Sequence, residues 1–230
     1  LFHDVLCRFY EKVIEMKTGL SQMTSVMRKA VLKESVARAF SHSEEEGEAL
    51  LPLPWRLLQE RIGQDLDAFL GLVSERGGDW LPLETEGSFG RTGAPHLEIA
   101  LAEAGRRIFL SGRYDLLEYR GENEYRYVDF KSGKRFGKQT PGLEGGTRLQ
   151  LDLYARQGKQ RFGKGARVEG AYAFVSERGG YGVHHVDPDT VEARRGDVDR
   201  LLSYFLRAAG EGAFFPTPSR KTCARCDFVP

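Results

Sequence analysis

Apolar residues recur along this chain with two different periods. From about Met23 to Phe40, Val26, Met27, Ala30, Val31, Ala37 and Phe40 fall at helical spacing, and Ser41 and His42 close the run. A second helix is predicted from about Trp55 to Glu75, stopped by Arg76-Gly77-Gly78-Asp79. Residues 42–54 between them read as a polar, acidic linker ending in Leu51-Pro52-Leu53-Pro54. Ahead of both, Leu1 to about Tyr10 reads as a short helical or turn segment whose Phe2, Leu6, Phe9 and Tyr10 can form an apolar face. The middle of the chain changes to strands: Leu81 to Phe89, Leu97 to Leu101, and Arg107 to Tyr119. The turn Gly121-Glu122-Asn123 then joins that last strand to one ending at Lys131. A glycine-rich loop over residues 132–146 precedes a helix from Gly146 to Gln157. Ala166 to Glu177 reads as a buried strand with Tyr181 to Val186 as its neighbour, and Thr190 to Ala209 as the last long helix.

Composition narrows the class. The chain has 230 residues, 40% hydrophobic and 29% charged, values ordinary for a water-soluble globular chain of one domain, or one and a half. No apolar run reaches the roughly 18 residues of a membrane span, and no segment resembles a signal peptide, so a cytoplasmic location is expected. A start at Leu1 and a stop at Pro230 just past a cysteine pair give the expectation of a fragment of something larger. Net charge is only +1, so the whole molecule does not steer towards DNA. Its distribution is more informative. Lys131, Lys134, Arg135 and Lys138 form one acid-free basic run, and Arg156, Lys159, Arg161, Lys164 and Arg167 another.

The chemistry concentrates at the hairpin. Strand side chains alternate faces, so Asp129 and Lys131 share one face while Val128 and Phe130 take the other. Asp115, on the neighbouring strand, comes close to that face. Two carboxylates and an ammonium in a small volume suit Mg²⁺ or Mn²⁺ with a cation beside it. The pair His184-His185 lies on a strand, where adjacent residues face opposite ways and do not serve one ion. Residues 133–140 have the wrong spacing for a phosphate loop, so no ATP is expected to bind here. The three cysteines, Cys7, Cys223 and Cys226, leave zinc, redox chemistry and an iron–sulfur cluster open.

Taken together, Gly112-x-x-Asp115, then Asp129-x-Lys131, then Gln150-x-x-x-Tyr154 resemble the PD-(D/E)XK nuclease superfamily. The closer resemblance is to the RecB-type nuclease domain of AddB and RecB helicase–nuclease subunits, and to Cas4-like nucleases. It implies an α/β fold with a restriction-endonuclease-like core, a mixed β-sheet flanked by helices, with a cysteine segment at about 214–230; residues of about 42–80, which the resemblance does not cover, read as a helical insertion. It implies Asp115, Asp129 and the Phe130 backbone carbonyl as holders of Mg²⁺ or Mn²⁺, and Lys131 orienting the nucleophile. Gln150, Tyr154, Lys134 and Arg135 would contact DNA, with Tyr154 stacking on a base or bonding a phosphate. Glu84 and Glu86 read as structural or exposed.

The resemblance further implies single-stranded DNA as substrate, a helicase domain or subunit as partner, and a role in recombination and double-strand-break repair. It implies a [4Fe–4S] cluster on Cys7, Cys223, Cys226 and a fourth cysteine outside this chain. The family's metal-site histidine falls, in this alignment, on Lys33, and its glycine on Lys29. Protonated lysine does not ligate a metal. Either Glu34 substitutes, or the metal is held more weakly, or this copy is catalytically impaired; a DNA-binding or helicase-bracing module and a stand-alone Cas4-like nuclease are the alternative readings.

Overall fold

The computed structural model describes residues 1–48, 51–91, 93–134, 143, 148–213 and 223. Three helices come first: α1 (Phe2–Glu15), α2 (Ser25–Glu45) and α3 (Pro52–Arg76). Thr24 opens α2 by accepting the Met27 amide on its side chain, and Pro52 opens α3 where a missing N–H costs nothing. α1 is a full amphipathic helix, longer than the segment predicted, because Val5, Leu6, Phe9, Tyr10 and Val13 keep one face buried to its last turn.

Strands follow: β1 (Leu81–Phe89), β2 (Leu97–Leu101), β3 (Arg106–Leu110), β4 (Gly112–Arg120) and β5 (Glu124–Lys131). The strand expected over 107–119 is thus two. β3 pairs only with β2 in a separate hairpin, and the chain turns at Ser111 before β4 enters the main sheet. After α4 (Gln150–Phe162) come β6 (Arg167–Phe174), β7 (Val183–Val186), α5 (Pro188–Ala193) and α6 (Arg195–Gly210). The last helix is therefore broken at Arg194.

The main sheet runs β1-β4-β5-β6-β7 and is mixed: β5 and β6 are parallel, every other pair antiparallel. A parallel pair needs a crossover, and α4 supplies it. Each face of the sheet has its own apolar layer. Phe9, Tyr10, Phe40, Ile62, Leu66 and Phe69 from α1–α3 pack with Leu116, Val128 and Phe130. On the other face Leu151, Tyr154 and Ala155 of α4 pack with Tyr114, Leu117, Tyr127 and Tyr172 and with the β2–β3 hairpin. α3, expected within an insertion, is a layer of the core. Among the described residues no helix is long and apolar enough to cross a membrane.

Candidate active site

The site forms where β4 and β5 part. Their pairing stops at Leu116↔Val128, one residue short of Asp115 and Asp129. The next free amide, that of Phe130, donates instead to Asp115 Oδ2 at 2.5 Å, so a carboxylate takes the place of a ladder carbonyl. This opening leaves the Phe130 carbonyl oxygen and Asp115 facing the first turn of α1. There His3 Nε2 lies 2.9 Å from Phe130 O and 3.3 Å from Asp115 Oδ2. The hydrogen bond with Asp115 holds the His3 imidazolium above its ordinary pKa, against the opposite pull of burial.

Asp129, on the α4 face, is 7% exposed. Its Oδ1 accepts Gln150 Nε2 at 2.6 Å, and Lys131 Nζ stands 2.5 Å from Oδ2. That ammonium lies off the hydrogen-bond direction, leaving the buried Oδ2 without an aligned donor. Burial pushes the Asp129 carboxyl up, and Lys131 draws it back. Gln150 also donates to Tyr154 Oη at 2.7 Å, and Tyr154 donates to the Arg113 carbonyl. Beneath them Tyr114, Tyr127 and Tyr154 pack edge-on or tilted, and Arg161 ties Tyr114 Oη (2.8 Å) to Glu84 (2.8 Å).

On the other side of Asp115 the sheet carries backbone strain. β1 pairs Thr85↔Leu116 and Gly87↔Tyr114, so Glu86 stands opposite Asp115, and its φ is +48°. Left-handed backbone at a non-glycine strand position is held only where surroundings impose it. Burial first, and the Asp115 charge second, push the Glu86 carboxyl up.

Of the residues singled out in the sequence, Asp115, Asp129, Lys131, the Phe130 carbonyl, Gln150 and Tyr154 come together. Tyr154 is 3% exposed with its hydroxyl engaged internally, so its ring is closed to a base. That expectation fails because the helix turns its apolar face, Tyr154 included, onto the sheet. Glu34 is an exposed partner of Arg38 at 2.6 Å, and Lys33 lines the α2–α3 groove with Lys29 and Asp67. Neither is paired with Asp115, whereas His3 on α1 is. Glu84 is structural, paired with Arg161, whereas Glu86 faces the site.

Lys134 is exposed beyond β5, and Arg135 lies outside the described residues. Cys7 faces Thr85 Oγ1 (3.7 Å) and Glu11 Oε1 (3.6 Å), its thiol pushed up to about 11 by burial. Cys223 is half-buried with a free thiol, and Cys226 lies outside the described residues. Among the described residues no three side chains of His, Cys, Asp and Glu are gathered into a ready metal cluster. His3 and Asp115 meet the Phe130 carbonyl oxygen, and Asp129 is the residue before it on the same strand.

Sequence reasoning missed His3 and read Glu86 as structural or exposed. Their signals were present: His3 opens an amphipathic helix, and Glu86 precedes Gly87-Ser88-Phe89-Gly90 at the end of a strand. Neither pairing could be seen without the strand register.

The family model described as PD-(D/E)XK nuclease superfamily matches residues 1–230. The B subunit of the ATP-dependent helicase/deoxyribonuclease of Moorella thermoacetica is 29% identical over 164 residues, 67% of this chain. This chain spans only 14% of that relative's length. The crystal structure of SSO0001 is 18% identical, with 81% of this chain and 76% of that one covered at a TM-score of 0.30.

Proposed function

The chain belongs to the PD-(D/E)XK nuclease superfamily, and from that premise we propose that it is a divalent-metal-dependent DNA nuclease with Asp115, Asp129 and Lys131 at its centre. The observation that carries the proposal is the convergence of His3, Asp115 and the Phe130 carbonyl beside Asp129 and Lys131, where β4 and β5 part. The donor set is nitrogen and oxygen only, which suits Mg²⁺ or Mn²⁺, and Asp129 Oδ2 is a buried oxygen lacking an aligned donor. Asp115, Asp129, the Phe130 carbonyl and His3 in its neutral form would hold the ion, the His3 proton leaving as the metal binds. When bound there, it would lower the pKa of water and offset charge on a phosphoryl oxygen.

The chain's own residues do the rest. Lys131, tethered to Asp129, orients the attacking water and neutralises charge gathering on the phosphate. Gln150, anchored by Tyr154, fixes the rotation of the Asp129 carboxylate. Tyr154 thus acts from inside, while Lys134 and Arg135 would contact the DNA backbone. Single-stranded DNA delivered by a helicase domain or subunit, as in recombination and repair, is the substrate we favour, since the Moorella relative is named as part of a helicase/deoxyribonuclease. An iron–sulfur cluster forms no part of the proposal, since Cys226 lies outside the described residues. The non-catalytic alternative loses its main support once His3, not Lys33, stands against Asp115.

End-labelled single-stranded and duplex DNA, incubated with Mn²⁺, Mg²⁺ or EDTA and with wild type beside Asp129→Ala, test the reading. Metal-dependent cleavage by wild type alone, faster on the single strand, is expected. Cleavage that survives in the variant, or none from folded wild type with Mn²⁺, would sink it.

A further inference from the structure

We propose that Tyr172 is a positioning residue that sets both Lys131 and Gln150 against Asp129, its ring carrying the ammonium and its hydroxyl orienting the amide. β6 runs parallel to β5 with Tyr172 level with Asp129, so the two side chains are neighbours on the α4 face. The Tyr172 ring is 6% exposed, and its centroid lies 5.1 Å from Lys131 Nζ, inside the reach of a cation–π contact. An ammonium at the end of four methylenes otherwise samples many rotamers. Between Asp129 Oδ2 at 2.5 Å and the ring face it has one place to stand.

The other end of the same side chain acts on Gln150. Tyr172 Oη donates to Gln150 Oε1 at 3.2 Å, which leaves the amide NH₂ to donate to Asp129 Oδ1 and Tyr154 Oη. A flipped amide would turn its carbonyl against the Asp129 carboxylate and lose that bond, since a carboxylate only accepts. Burial pushes the Tyr172 hydroxyl up to about 12, so it remains a donor throughout the working range. One residue, on the strand next to β5, thereby fixes the groups on both sides of Asp129. Core packing alone would account for the buried ring, but not for the ammonium over it or the hydroxyl on the amide.

The inference rests on the nuclease reading, and two measurements keep their failures apart. In metal-free wild type, NMR of the lysine ε-methylene protons, with Lys131 assigned through Lys131→Arg, should place Lys131 upfield of the other lysines by ring current. This needs no cleavage, and a Lys131 resonance at the ordinary lysine position overturns the stacking. In Mn²⁺-dependent cleavage of labelled single-stranded DNA, Tyr172→Phe should raise the half-saturating Mn²⁺ concentration about 5- to 10-fold while lowering the saturated rate far less. In the Gln150→Ala background the same change should add nothing, since both remove one interaction. Tyr172→Leu, which also removes the ring, should lower the saturated rate by about 10- to 30-fold. An unchanged metal requirement in Tyr172→Phe, or equal losses with and without Gln150, overturns the proposal. If Tyr172→Leu fails to fold, the NMR shift and the Tyr172→Phe cycle decide alone.

Discussion

His3 Nε2 lies 3.3 Å from Asp115 Oδ2, joining the first turn of the first helix to a strand more than a hundred residues later. The contact gives α1 a reason to dock where it does beyond its apolar face, because the same nitrogen reaches the Phe130 carbonyl at 2.9 Å. Removing His3 leaves Asp115 and a main-chain oxygen without their third member. Changes to partners outside a metal's ligand shell already cost about 10- to 100-fold. His3→Ala is therefore expected to lower Mn²⁺-dependent cleavage by at least about 100-fold, and to weaken Mn²⁺ binding in calorimetry. Lys33→Ala and Glu34→Ala, on the helix beyond, are expected to match wild type. A His3→Ala protein with wild-type metal affinity would remove His3 from the site.

Gly170 controls how closely α4 approaches the sheet. A Cβ placed there would stand 2.8 Å from Leu151 O and 2.9 Å from Leu151 Cα, both backbone atoms of the first turn of α4. That turn begins with Gln150, whose amide must reach Asp129 at 2.6 Å. Gly170→Ala is expected to cost about 1–3 kcal/mol in urea denaturation, as overpacking does. Because the helix has to move at its Gln150 end, cleavage should fall more steeply than stability, by tenfold or so at a temperature where the variant stays folded. Full activity in a destabilised Gly170→Ala would show that Gln150 does not depend on this approach.

The hairpin chemistry was legible from residues alone, because strand alternation puts Asp129 with Lys131 whatever the rest of the fold does. Three other features were not legible, each for a physical reason. The break at Ser111 separates strands that share one apolar pattern, and only the partner of each strand, β2 or β1, tells them apart. Glu86 lies opposite Asp115 by register, a property of two strands and not of either one. His3 was passed over because the histidine was sought on the second helix, where Lys33 stands. The helical pattern of α1 was visible, but not which end of it reached the opening between β4 and β5. Tyr154 differs in the opposite sense: it stands beside Gln150 and Asp129, yet burial of the helix face reserves its ring for the core.

Asp152 and Arg194 form a buried pair, with Arg194 Nε 2.8 Å from Asp152 Oδ1 and the aspartate side chain 1% exposed. Burial pushes this carboxyl up and the guanidinium pulls it down. The pair joins α4 to the α5–α6 junction, where the apolar contact is thin: Val198 is the one buried residue of α6. Removing one partner of a buried pair strands the other, at a cost of about 3–5 kcal/mol. Asp152→Ala is expected to lose about 3 kcal/mol in urea denaturation, and Asp152→Asn less, since it keeps one acceptor. A loss below about 1 kcal/mol in Asp152→Ala would show that the α5–α6 segment contributes little to the cooperative unit.

Glu169 gives the fold a pH dependence whose sign follows from the strand order. Glu118, Arg126 and Glu169 lie side by side on β4, β5 and β6, so one guanidinium serves two carboxylates. Glu118 takes it at 2.7 Å and Glu169 is left at 3.8 Å, while the Trp80 ring covers the guanidinium face at 4.4 Å. Burial pushes the Glu169 carboxyl up, Arg126, His185 and Arg120 pull it down, and Glu118 adds to the rise. Its pKa in the folded chain is thus above that of the unfolded chain. Such a group's contribution is fully present below the unfolded value near 4.3 and is lost as pH rises through the folded one. Gln cannot ionise, so Glu169→Gln escapes that loss. The difference in melting temperature, Glu169→Gln minus wild type, is expected to grow as pH rises from about 4 to about 7, measured in EDTA to keep metal binding out. A difference that stays flat or shrinks over this range would mean that Arg126 holds both carboxylates ionised without strain, and that the 3.8 Å separation understates the pair.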